Sequence, residues 1–88
     1  MIVIDRPLWR WRGRRWSHLA SDSNVGELHL FAERLGLRRE WFQGDHYDLP
    51  EERYDEAIAL GASPIESREL VRRLRAAGLR RPRRTATS

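Results

Sequence analysis

No cysteine occurs in the 88 residues, which excludes disulfides, thiolate nucleophiles and thiolate metal sites; any bound metal has to be held by His, Asp or Glu. Lysine is missing too: all 17 basic residues are Arg, a bias that a GC-rich genome produces without selection for phosphate contacts. Long apolar runs are absent. Met1–Ile4 is cut at once by Asp5 and Arg6, far short of a signal-peptide core or a membrane span, so a cytoplasmic location with no membrane partner is expected. Neither a glycine-rich phosphate loop nor a glycine-flanked nucleophile is present; Ser17 and Ser21 lack that context, and nucleophilic catalysis is set aside.

What is present is the composition of a globular domain, 40% hydrophobic and 34% charged. A chain this short buries only about 60–65% of the surface its unfolded form exposes, which leaves room for one core and not two. The net charge of +4 is unevenly spread: residues 1–17 carry +4, residues 18–67 carry −7 and residues 68–88 carry +7. Such polarity steers polyanions toward one surface, unless the basic ends pair with the acidic middle.

Met1–Asp5 reads as a short buried strand, and Trp9–Arg12 as a strand with Trp9 and Trp11 on one face and Arg10 and Arg12 on the other. Gly13 offers a turn into a second strand over Arg15–Leu19, stopped by the cluster Ser21–Asn24. Asn24 and Glu27 form a loose capping box ahead of Val25, Leu28, Phe31, Ala32 and Leu35 at helical spacing, and Gly36 closes that helix. Arg39–Gln43 is read as a short strand, and His46–Leu49 follows a turn at Gly44 and Asp45. Pro50 is placed in the first turn of a second helix through Tyr54, Ala57 and Ile58. Ala62–Glu66 fits a strand or a helix start, the strand being favoured. Leu70, Val71, Leu74 and Ala77 line a third helix. The expected fold is α/β: a single domain over residues 1–79 with a small sheet of three or four strands covered by three helices, and a disordered basic tail over 80–88.

All three histidines lie near carboxylates: His18 near Asp22, His29 near Glu33, and His46 between Asp45 and Asp48. Without cysteine, this is the ligand set available for zinc, manganese or a similar divalent ion. His18, Asp22, His29 and His46 are the candidate catalytic and metal-ligating residues, with His18 and Asp22 the preferred acid–base pair; they converge only if strand ends meet a helix N-terminus. The alternative is that each histidine is a hydrogen-bonded structural residue. The helix start near Asn24 offers free N–H groups that Arg14 or Arg15 could reinforce as an anion site, although Asp22 opposes a bare anion there. Trp9–Trp16 packs three Trp and four Arg into eight residues, a density suited to stacking bases while Arg engages phosphate. Its alternative is a hairpin whose Trp face covers the core and whose Arg face is solvated.

The segments Trp16-Ser17-His18-Leu19, Asp22, Glu27-Leu28-His29, Phe31-Ala32, Leu35-Gly36-Leu37, Arg39, Trp41-Phe42-Gln43 and His46-Tyr47-Asp48 resemble a family of small bacterial and phage domains of unknown function, DUF4031. More loosely, the likeness continues through Ala57-Ile58, Gly61-Ala62 and Ser67-Arg68-Glu69, and the stretch before His46 is shorter than the usual pattern. The resemblance spans residues 1 to about 78 and implies a lineage without a reaction.

The leading expectation is a domain that binds a phosphate-bearing ligand, nucleic acid or nucleotide. Trp9 and Trp11 would stack, Arg10, Arg12, Arg14 and Arg15 would meet phosphate, and Tyr47 would join these ligand-binding residues beside the His and Asp pocket. A metal-dependent or His general-base hydrolase using the same pocket is the first alternative. A phage or host interaction protein that blocks a protein partner is the second.

Overall fold

The computed structural model describes residues 1–80. Ile2–Ile4 (β1) is apolar at every position because both its faces are covered, and all three residues are buried. Its antiparallel partner is the longest strand, Arg14–Ser21 (β3), in a register that sets Ile2 opposite Ser21 and Ile4 opposite Leu19. Trp9–Trp11 (β2) continues along the same side of β3, with Trp9 opposite Trp16 and Trp11 opposite Arg14. Tyr47–Pro50 (β4) joins on the other side, so that Leu19 has both Ile4 and Tyr47 as neighbours and Trp16 has both Trp9 and Pro50. Ser63–Pro64 (β5) lies parallel to β1 and completes a five-stranded mixed sheet built on β3.

Strand alternation then sorts the side chains. Ile2, Ile4, Leu19, Tyr47 and Leu49 share the face packed by Val25–Arg34 (α1) and Tyr54–Ala59 (α2). Val3 and Ala20 face the opposite way, under Leu70 and Leu74 of Ser67–Ala76 (α3). This second layer is thin, and the hairpin end of the same sheet face carries Trp9 and Trp11 exposed. At the start of α1 the Asn24 side chain accepts from the Glu27 N–H at 2.7 Å. The reciprocal half of the capping box is not made, because the Glu27 carboxylate takes the Ser21 hydroxyl at 2.5 Å instead.

The architecture agrees with the α/β expectation of one domain with a small sheet and three α-helices, and differs in local detail. Arg39–Gln43 is not a strand: Arg39–Trp41 forms a 3-10 turn, and only Phe42 makes a bridge, to Tyr47. Trp41 is exposed and Phe42 half-buried, so this stretch has no alternating covered face to hold a strand. Pro50 ends β4 rather than opening a helix, and a 3-10 turn over Glu51–Arg53 intervenes before α2. That placement is permitted because β4 pairs with β3 alone, leaving its other edge without a ladder for proline to interrupt. In α3, Val71 is half-buried and Ala77 exposed. The tail assigned to 80–88 begins with Arg80, which is ion-paired; residues 81–88 lie outside the described residues. Among the described residues no helix is long and apolar enough to cross a membrane.

Arg12 and Gly13 join β2 to β3 with φ of 51° and 75°, two successive left-handed residues, as a two-residue hairpin turn requires. Gly13→Val should therefore lower stability by about 1–2 kcal/mol, while Arg12→Asn, which tolerates positive φ, should cost nothing; denaturant melts of the two variants test the pair.

Candidate functional site

Asp5 follows β1 directly, and its backbone N–H donates to the His18 carbonyl at 3.2 Å, so the register of β1 with β3 carries it beside His18. Only 1% of Asp5 is exposed. A carboxylate buried this deeply needs donors. It accepts from the His18 backbone N–H at 2.6 Å and the Ser67 hydroxyl at 2.8 Å, and the His18 ring Nδ1 lies 2.7 Å away. Burial alone would raise its pKa, but the His18 ring, the His18 N–H and the Ser67 hydroxyl together hold it below the ordinary aspartate range.

His46 sits in the loop entering β4 and repeats the arrangement. Its Nδ1 is 2.7 Å from Asp45 Oδ1. Asp45 is in turn gripped by the Arg80 guanidinium, Nε to Oδ2 at 2.6 Å and Nη2 to Oδ1 at 2.9 Å. Burial pushes the Asp45 pKa up, and the Arg80 and His46 contacts outweigh it, holding the group below its ordinary value. For His46 the order is mirrored: burial pulls the pKa down, while the carboxylates of Asp48 and Asp45 raise it further, for a net value above ordinary imidazole.

The two rings meet edge to face, 5.1 Å between centroids. Asp48 stands opposite His18 on β4, and its Oδ1 is 3.1 Å from His46 Nε2. Asp48 Oδ1 is buried, and apart from this ion-pair contact it has no hydrogen-bond partner. Asp5 and Asp45 each stand against Nδ1 of an imidazole and so orient the two rings, and His46 Nε2 faces Asp48. His18, His46 and Asp48 each offer a ligand atom within 4.8 Å of the others, and they form the one such cluster among the described residues.

The four-residue pocket expected from sequence is thus only half assembled. His29 sits on α1, across the sheet from His18, with its Nδ1 2.8 Å from the Tyr47 hydroxyl and its ring edge-on to Phe42. Asp22 lies beyond the other end of β3 from the hairpin, paired with the Met1 ammonium at 3.0 Å and Arg73 at 3.3 Å; four extended residues separate it from His18, roughly 13 Å. Tyr47 is 1% exposed and belongs to the core, because alternation along β4 turns it away from Asp48. The N-terminus of α1 is filled by Asn24 and Ser21, at the opposite end of β3 from Arg14 and Arg15. Three contributors escaped the sequence reading: Asp5, Asp48 as a ligand in its own right, and Arg80. The available signal for Asp5 was a charged residue ending a fully apolar strand.

The Trp and Arg hairpin borders this cluster. The Trp9 ring stacks on His18 at 5.5 Å, and Trp16 and Trp11 follow at 6.4 Å and 5.7 Å from one ring to the next. Trp9, Trp11 and Trp16 share the sheet face of His18, whereas Arg10 and Arg15 oppose each other on the far face. Arg12 is not on that far face either: it occupies the turn, with its guanidinium 4.6 Å over the Trp11 ring. A groove of about 600 Å³ between hairpin and 3-10 turn has Trp11, Arg12, Arg14, Trp16, Trp41 and Asp48 in its lining, with Glu40 also on its wall.

Residues 2–77 match the family described as protein of unknown function (DUF4031), and the chain belongs to it. No curated protein and no solved structure matches the chain.

The pKa directions set a pH dependence. His46 titrates above its ordinary 6.5, so its contribution to stability is complete below that pH and is lost as pH rises through the folded value. His29, lowered by burial and by Arg39, works in the opposite sense, so wild type is best compared with a variant. The stability deficit of metal-free His46→Ala should be greatest, about 2 kcal/mol, below pH 6.5 and narrow above it. A deficit that grows with pH in thermal melts would contradict this.

Proposed function

We propose that the chain holds a divalent metal ion between His18, His46 and Asp48, and through it a phosphate-bearing ligand. One observation carries the reading: two imidazoles, each with Nδ1 against its own carboxylate, stand with Asp48 so that all three residues offer a ligand atom within 4.8 Å of one another, and Asp48 Oδ1 is buried with no hydrogen-bond partner. Carboxylate–His–metal arrangements of this kind orient the ring and raise its basicity as a ligand. Two imidazoles and one carboxylate suit zinc, manganese or ferrous iron. Asp5 and Asp45 are the supporting carboxylates, and Ser67 and Arg80 hold them in place.

A three-donor set favours a hydrolytic role, because it leaves coordination positions for water and for a phosphate oxygen. The ion would supply Lewis acidity and lower the pKa of bound water. The protein's own part is to hold two rings in place, to keep Asp48 Oδ1 buried and free of hydrogen-bond partners, and to present Trp9 beside His18 as a wall for the ligand. The cleaved bond would be a phosphoester, since Arg12 and Arg14, the latter held only by an exposed contact to Glu52, line the same groove as Asp48.

Calorimetric titration with zinc and with manganese should give one site per chain. His46→Ala and Asp48→Ala should abolish it, and Asp5→Asn should weaken it roughly 10–100-fold. His29→Ala and Asp22→Ala should leave affinity unchanged, which separates this cluster from the pocket expected from sequence. Loss of affinity in those two variants, or no binding at all, would overturn the reading. With a site established, metal-dependent cleavage of a generic phosphodiester that disappears in Asp48→Ala would support the hydrolase; binding without cleavage would restrict the chain to a metal-bridged receptor.

A further inference from the structure

We infer that the groove between the hairpin and the 3-10 turn receives unpaired, single-stranded nucleic acid, with bases stacked on its exposed indole rings. The inference builds on the proposed function only in setting the strand beside the metal ligands.

Large aromatics are buried by default in so small a domain, yet Trp9, Trp11 and Trp41 are 41%, 48% and 44% exposed. They are not scattered. Trp9, Trp11 and Trp16 form one cluster with mutual ring separations of 6.2, 6.4 and 5.7 Å, Trp9 also lies on the His18 ring, and Trp41 lines the groove with Trp11 and Trp16. The cluster is held in place before any ligand arrives: Trp16 Nε1 donates to the Trp11 carbonyl at 2.8 Å, and β2 and β3 are locked in register by the tight Arg12-Gly13 turn. The cluster and Trp41 together expose more indole surface than one base covers, which favours a strand over a lone nucleotide.

Charge complements this surface. Arg12 lies over Trp11, and Arg14 reaches the same groove with only an exposed, 3.6 Å contact to Glu52 to give up. Glu40 also lines the groove, but its carboxylate is paired with Arg38 at 3.4 Å. Stacking on aromatic faces with arginine on the backbone is a sequence-tolerant mode, and it requires bases whose faces are free. A duplex hides those faces and would be held by phosphate contacts alone.

The test uses the full chain with metal removed by chelator, so that failure of the metal site and failure of the groove are read separately. Fluorescence anisotropy would follow a labelled oligothymidylate of about a dozen nucleotides, with the same-length duplex and thymidine monophosphate as competitors. Binding is expected for the single strand, with quenching of indole fluorescence and weaker competition from duplex and mononucleotide. Trp11→Ala and Trp41→Ala should each cost roughly tenfold or more. Trp41→Phe should keep most of the affinity, and Arg12→Ala should reduce the salt dependence of binding by roughly one phosphate contact. Circular dichroism confirms that each variant is folded. Preference for duplex, equal competition by the mononucleotide, or affinity unchanged in both alanine variants would overturn the inference.

Discussion

The structure depends on how a buried negative charge is satisfied. Asp5 is taken out of water at the end of β1, and an unpaired carboxylate there would be prohibitively costly. Its three partner groups come from two places, the backbone and ring of His18 on β3 and the hydroxyl of Ser67 at the start of α3, with none from β1 itself. The same charge therefore fastens the third helix to the sheet and fixes the His18 ring. A hydrophobic residue at position 5 would fill the space, but it would leave His18 free to rotate. Packing alone does not explain the choice of residue, whereas orientation of the ring does.

The sheet also divides the labour of the side chains. One face is core away from the hairpin, with α1 and α2 packed on Ile4, Leu19, Tyr47 and Leu49, and carries Arg10 and Arg15 exposed at its hairpin end. The other carries a small apolar cluster at the α3 end and polar or aromatic residues toward the hairpin. His29 and His18 look equivalent in a list of residues but fall on opposite faces, and so do different work. His29 closes a hydrogen bond to the core tyrosine, and His18 belongs to the polar cluster.

Much of the fold was legible in the sequence because it rests on local signals. The apolar run at Ile2–Ile4, the Asn24 cap and the Gly13 turn each act within a few residues. Arg39–Gln43 does not form the expected strand because only Phe42 packs on the core while Trp41 is exposed, so no alternating face is covered. Half the candidate site was legible, through the proximity of His46 to Asp45 and Asp48 in the chain. The other half is a matter of register: His18 meets Asp48 only because β3 and β4 pair as they do, and Asp5 only because β1 pairs one step away. Asp22 was the natural partner for His18 by sequence distance, but four residues along a strand separate groups that one turn of helix would have joined.

The grip of Arg80 on Asp45 bears on where this unit ends. The family match stops at residue 77 and α3 at Ala76, so the shared sequence pattern accounts for most of the hydrophobic interior. Yet the guanidinium that steadies the carboxylate behind His46 comes from beyond that limit. A boundary drawn by likeness alone would remove Leu79 from the cluster under α3 and leave one imidazole without its brace.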